Sequence, residues 1–313
     1  MAAAIESSIL TRIGNTPVIE LRSLRPAGCA RLLLKIEAEN PTGSMKDRMA
    51  LAMIEAAERD GRLRPGGHVV EYTGGSTGVS LAFICAVKGY SLSIVTSDAF
   101  SAEKRRHMAA FGADLTIVPS SSGGMDAALT RAMVEKAREI TLETGGFWTD
   151  QLNNRDQLTA YHRMGEEILD QTGGGLGAFV QATGTAACVR GVSETLHSHS
   201  AAIHCVAVEP AESAVLSGGP TGTHRIEGVG PGFVPPLWRK EAVDAIASVS
   251  TEEAMEASRD LARREGIFAG TSTGANLAAA LRLGRQLGPE ATIVTLMCDS
   301  GMKYLSTPLF GPR

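Results

Sequence analysis

The 313-residue chain is sparing in the features that mark several large protein classes. Its five cysteines (Cys29, Cys85, Cys188, Cys205, Cys298) are odd in number and form no CxxC pair, so neither a disulfide framework nor a cysteine zinc site is expected. Most of these thiols read as buried. Neither charge dominates: 34 acidic against 30 basic residues leave a formal charge of −4, which argues against electrostatic nucleic-acid binding. The longest apolar run, Val79 to Val87, is far too short to span a bilayer. Met1 to Leu10 carry Glu6 and no basic segment before an apolar stretch, so no secretory signal is read and a cytoplasmic location is expected. The His197-x-His199 pair has no third ligand at a plausible spacing and reads as a solvated loop, so no metal is expected. Neither GxGxxG with a following acidic residue nor GxxxxGK[ST] occurs, which leaves no signature of dinucleotide or nucleotide phosphates.

Glycine, by contrast, is abundant, with 35 of 313 residues, about 11% against a usual 7% or so. It clusters after short strand-like runs and before helical patterns, the punctuation of an α/β fold. Four such junctions stand out: His68 to Tyr72 before Thr73-Gly74-Gly75-Ser76-Thr77-Gly78; Phe179 to Gln181 before Thr183-Gly184-Thr185; Gly266 to Ala269 before Gly270-Thr271-Ser272-Thr273-Gly274; and Thr292 to Met297 before Asp299-Ser300-Gly301. Leu32 to Ile36, Ser93 to Thr96, Leu115 to Val118 and Ile203 to Val208 are further strands. Met45, Met49, Ala52, Met53 and Ala56 form a core-facing helical stripe, and Val79 to Ala86 is apolar nearly all round. Strands alternating with helices predict open, mostly parallel twisted sheets, whose ligands gather at the strand ends. Gly145-Gly146 and Gly173-Gly174-Gly175 are the best places for a domain boundary.

Of seven lysines, Lys35, Lys88, Lys104, Lys136, Lys240 and Lys303 lie among polar or turn residues and read as solvated. Lys46 differs. It follows Asn40-Pro41-Thr42-Gly43-Ser44, a turn ending in a good capping residue, and so falls in the first turn of a helix. The positive helix end favours the neutral amine that a Schiff base requires. The carbonyl compound needed for one would find a phosphate seat after Gln181, where Gly184 and Thr185 lead into a helix beginning near Ala186.

Together and in this order the motifs resemble the cysteine synthase (O-acetylserine sulfhydrylase) family, pyridoxal 5′-phosphate enzymes of fold type II, the tryptophan synthase β-like fold. Ile13-Gly14-Asn15-Thr16-Pro17 is similar to the family's IGNTP, and Asn40 to Arg48 (NPTGSMKDR) to its NPxGSxKDR. Ser101 to Ala113 resembles SxERRxxLxAxGA, and Val208-Glu209-Pro210, Gly228-Val229-Gly230 and Asp299-Ser300-Gly301 with Tyr304-Leu305-Ser306-Thr307 follow family text. The resemblance implies that Lys46 carries the cofactor and moves the substrate α-proton. It implies phosphate binding at Gly184, Thr185, Ala186, Ala187 and Cys188, where GTAAC replaces the family's GTGGT, and places Ser272 against the pyridine nitrogen.

The family's TSGNTG loop, which holds the substrate carboxylate and touches the ring oxygen, becomes Thr73-Gly74-Gly75-Ser76-Thr77-Gly78. Ser76 then takes the cofactor-touching place, with Thr73, Gly74, Gly75, Ser76, Thr77, Gln151 and Gly228 around the substrate. Two shortened side chains predict a roomier acceptor pocket. Arg225 replaces a usual lysine and reads either as a cation at the entrance or as a seat for a phosphoserine leaving group. The implied enzyme is a homodimer with a smaller mobile domain over residues 41–145 and a larger one from 13–34 and 146–313. It would replace the β-substituent of an O-activated L-serine, O-acetylserine foremost, with sulfide to give L-cysteine through an aminoacrylate; serine acetyltransferase is a possible partner. Another nucleophile (amine, sulfite or larger thiol) is the main alternative, ahead of a serine/threonine dehydratase or a non-catalytic acetyltransferase-binding module.

Overall fold

The computed structural model describes residues 6–121 and 127–311. In chain order the elements are β1 (Val18–Leu21), β2 (Arg31–Lys35), α1 (Lys46–Asp60), β3 (His68–Tyr72), α2 (Ser76–Lys88), β4 (Ser91–Ser97), α3 (Ala102–Ala110), β5 (Asp114–Val118), α4 (Ala127–Thr144), β6 (Phe147–Trp148), α5 (Gln157–Thr172), β7 (Ala178–Ala182), α6 (Ala187–His199), β8 (His204–Pro210), β9 (Ala245–Val249), α7 (Thr251–Glu265), α8 (Thr271–Leu287) and β10 (Thr292–Leu296). Two sheets result. One has six strands in the order β1-β2-β10-β7-β8-β9, the other four in the order β5-β4-β3-β6. Every pairing is parallel except that of β1 with β2, so the expected mostly parallel α/β architecture is present. Among the described residues no helix is long and apolar enough to cross a membrane.

The core strands show why they sit inside. All five residues of β7 and the last four of β2, β3 and β10 are buried, as expected of parallel strands covered on both faces by helices. Met49 and Met53 of α1, with Met45 just before it, pack against Leu158, Tyr161 and Met164 of α5. All five cysteines are free and buried. One expected strand is absent: Gly266 to Ala269 makes only an isolated bridge, Ala269 to Ser300, because the Gly266 C-cap of α7 (φ +72°) and the N-cap Gly270 of α8 leave no length for pairing. The lysines also divide differently. Lys35, Lys104 and Lys303 are buried, each against partners or walls far away in sequence.

The His197-x-His199 pair ends α6 rather than lying in a loop. The fold does bring further ligand-type atoms near it: those of His197, Cys205 and Asp244 lie within 4.8 Å of one another. His197 Nε2 is already hydrogen-bonded to Asp244 Oδ2 and the Ile203 carbonyl, both at 3.1 Å.

Candidate active site

Lys46 is the first residue of α1, as its capping turn predicts, and its N–H donates to Ser44 Oγ at 3.2 Å. Both following side chains anchor that turn. Asp47 accepts from Thr42 N–H (2.8 Å) and Thr42 Oγ1 (2.6 Å), which fixes the preceding loop. Arg48 forks between two carboxylates, meeting Glu37 through Nε and Nη2 at 2.7 and 2.8 Å and Glu167 through Nη1 and Nη2 at 2.6 and 2.7 Å. Lys35 Nζ, fully buried, joins Glu167 at 2.7 Å. The start of α1 is thus bolted to β2 and α5. Lys46 itself is half-buried, and among the described residues no carboxylate lies within ion-pair distance of its amine.

Three more helices begin around the same cavity, of about 500 Å³, at the carboxyl ends of the strands. From β3, Thr73 to Thr77 lead into α2; Gly75 sits at φ +138°, where its N–H donates to Thr73 Oγ1 at 3.1 Å. Gln151 faces this turn, accepting from Thr77 Oγ1 at 2.9 Å and donating to the Tyr72 carbonyl at 2.8 Å. Its own N–H is held by Glu71, a fully buried carboxylate that also accepts from Thr149 Oγ1 and Tyr72 N–H. From β7, Gly184 and Thr185 reach the cavity while Ala186, Ala187 and Cys188 turn inward. At the start of α8, Ser272 lines the cavity, buried.

The β7–α6 turn fits a phosphate group. A Cβ on Gly184 would lie 2.5 Å from the Gly228 carbonyl, so only glycine lets these two backbones close together. Ala186 sits at φ +69° just ahead of α6, a left-handed turn conformation of the kind that gathers successive N–H groups into an anion-binding concavity, and the buried Thr183 Oγ1 beside it has no partner among the described residues. The Cys188 side chain is buried, and that burial pushes its thiol well above the ordinary value.

The loop at Gly74 departs from expectation. A Cβ there would lie 2.7 Å from Phe100 Cε1, and the Phe100 ring fills the space that a longer side chain would take, so the pocket is not enlarged at this point. Phe100 escaped sequence reading because it lies between β4 and α3 and meets Gly74 only in the fold. Lys104, Glu227, Asp299 and Tyr304 were likewise not foreseen as site residues. All four line the cavity, and Ser76 donates its hydroxyl to Asp299 Oδ2 at 3.0 Å. For Lys104 one signal was present: it stands at an arginine of the SxERR segment. Arg225 lines the cavity mouth, exposed, as a cation at the entrance.

A lysine at a helix start with no described carboxylate partner, a backbone phosphate cradle and a hydroxyl at a third helix N-terminus, held between two mostly parallel sheets, define a site for an aldehyde cofactor that carries a phosphate. A family model described as pyridoxal-phosphate dependent enzyme matches residues 9–299, and the chain belongs to that family. A curated cysteine synthase from Staphylococcus aureus (strain N315) is 40% identical over 312 residues, 99% of each chain. Among solved structures, O-ureido-L-serine synthase superposes with a TM-score of 0.92 at 34% identity, covering 98% of this chain and 96% of that one. The cysteine synthase of Entamoeba histolytica gives 0.92 at 36% identity, covering 99% and 92%.

Proposed function

We propose that the chain is a cysteine synthase, replacing the β-substituent of an O-activated L-serine, O-acetylserine foremost, with sulfide to give L-cysteine. The observation that carries this reading is the placement of Lys46, free of any described carboxylate partner, in one cavity with Ser272 and the Gly184–Thr185 turn. When bound, pyridoxal phosphate supplies the electron sink that acidifies the donor's α-carbon. Around it, Gly184 to Cys188 would hold the phosphate by backbone N–H groups, Ser272 would face the ring nitrogen and Ser76 the ring oxygen. Ser272 is a hydroxyl and, unlike a carboxylate, imposes no proton on that nitrogen, which favours β-replacement over transamination. The Lys46 amine would hold and move the α-proton. N–H groups at the start of α2, from Thr73 to Thr77, would orient the substrate carboxylate with Gln151 alongside, and Gly228 would close the floor.

The same proposal includes a smaller mobile domain over residues 41–145 that closes on a larger one (13–34 and 146–313) and excludes water. It also includes a cytoplasmic homodimer and a serine acetyltransferase partner, testable by light scattering with and without the acetyltransferase. A second reading, replacement by a nucleophile other than sulfide, is favoured by the shorter Ser76 in the substrate loop and by the similarity to O-ureido-L-serine synthase. Purified protein is expected to be yellow and to form cysteine from O-acetylserine and sulfide, and Lys46→Ala to lose both colour and product. Borohydride reduction that tags a residue other than Lys46 overturns the proposal; sulfide ranking last in a panel of nucleophiles selects the second reading.

A further inference from the structure

A hydrogen-bonded chain crosses the wall of the cavity and links segments belonging to the two sheets. Ser76 Oγ donates to Asp299 Oδ2 (3.0 Å), Tyr304 Oη donates to the same oxygen (2.8 Å), Lys104 Nζ donates to Tyr304 Oη (3.1 Å), and Lys104 pairs with Glu227 Oε2 (2.6 Å). The lysine side chain is only 2% exposed, its stem lying flat on Gly75, where any Cβ would collide with it. Its ammonium also sits 4.2 Å above the Tyr304 ring. Glu227 is 19% exposed and lines the cavity, and no described residue donates to its second oxygen, Oε1. One oxygen of this cavity-lining carboxylate is thus held by Lys104, while the other has no partner among the described residues. The other charged or titratable side chains lining the cavity are Lys46, Tyr72, His224, Arg225, Cys298 and Asp299, with Lys303 buried behind them.

We propose that Glu227 takes up the proton of the incoming nucleophile, and that Lys104, bound to its other carboxylate oxygen, is the positioning residue that holds it in place. The inference rests on the β-replacement reading and deepens it by defining the class of second substrate. Sulfide arriving as hydrogen sulfide, an organic thiol or an amine carries a proton that must leave as its bond to carbon forms. In the replacement the sulfur–hydrogen pair becomes the sulfur–carbon bond at the donor's β-carbon, acetate departs with the pair of the carbon–oxygen bond, and the proton passes to Glu227 Oε1. A nucleophile with no proton to lose, such as thiosulfate, gains nothing from this group and meets its negative charge. The site is thereby selective for nucleophiles that arrive protonated.

The test uses the holoenzyme with O-acetylserine and two nucleophiles, 2-mercaptoethanol below its own pKa and thiosulfate. Glu227→Gln is expected to lower kcat/KM for the thiol by about 100-fold while leaving thiosulfate within about threefold of wild type or faster. The acid limb of the wild-type thiol profile should vanish in Glu227→Gln and persist in Glu227→Asp, and Lys104→Met, which removes the partner of Oε2, should slow the thiol more than thiosulfate. Equal losses with both nucleophiles, or an acid limb unchanged in Glu227→Gln, overturn the assignment; the acid limb decides even where thiosulfate is a poor substrate. Failure of the wild type to turn over O-acetylserine with any nucleophile sinks the β-replacement reading instead.

Discussion

Ala186 holds a left-handed backbone conformation (φ +69°) at the N-cap of α6, where an alanine is strained and a glycine is not. Ala186→Gly is expected to raise stability by up to about 1 kcal/mol, read as a higher urea midpoint at unchanged slope, with phosphate binding retained because the N–H groups stay in place. At Gly74 the sign reverses. Gly74→Ser would drive its side chain into the Phe100 ring, so the single change should lower both stability and turnover, and adding Phe100→Ala should recover part of the loss. A double-mutant cycle with no coupling between the two positions contradicts this packing. Such residues also mark the limit of sequence reading. Ser44 to Arg48 and Thr73 to Thr77 are each contiguous, so their chemistry shows in the text. Lys104 and Tyr304 lie 200 positions apart, and only the fold reveals that they touch.

Among the elements, those legible beforehand were strands with dense apolar or β-branched residues and helices with a clear cap or stripe. β9 (Ala245–Val249) escaped because its alanines and serine give no period, and β6 because two residues are too few to show one. The polar bolt between α1, β2 and α5 was equally invisible, since Lys35 and Glu167 look like surface residues in isolation. Its pH signature can be worked out. Burial pushes the Glu167 carboxyl up, but Arg48 and Lys35 outweigh it and hold the pKa at about 2 rather than 4.5. A depressed carboxylate contributes stability that is complete above about pH 4.5 and lost as pH falls toward 2. Glu167→Gln should remove that acid dependence and cost about 3 kcal/mol near neutrality, because Arg48 and Lys35 lose a largely buried partner; urea midpoints between pH 3 and 7 check both.

For the whole molecule, the segment after β10 joins the two sheets. Ser300 N–H bonds to the Gly43 carbonyl at 3.0 Å, and Glu103 of α3 accepts from Ser306 N–H and Oγ at 2.8 and 2.6 Å. Lys303 is enclosed there, with no hydrogen-bond partner for Nζ among the described residues. Burial pushes its ammonium down to about 8, against the pull of Asp299. A depressed lysine opposes folding below that value, and the penalty fades as pH rises from about 8 to 10.5. Relative to wild type, Lys303→Met should flatten this alkaline gain in chemical-denaturation curves measured from pH 7 to 10; an unchanged slope contradicts the buried charge.

The strand order also sets a timetable for biosynthesis. β10, which follows every other strand in the chain, lies at the centre of the six-stranded sheet between β2 and β7. On the ribosome the four-stranded sheet, complete by residue 148, can assemble early. Its larger companion must wait with an open seam beside β2 until Thr292–Leu296 emerges. Nascent chains halted before that point would expose two apolar strand edges, which makes them natural clients for chaperones and the stage at which aggregation is most to be expected.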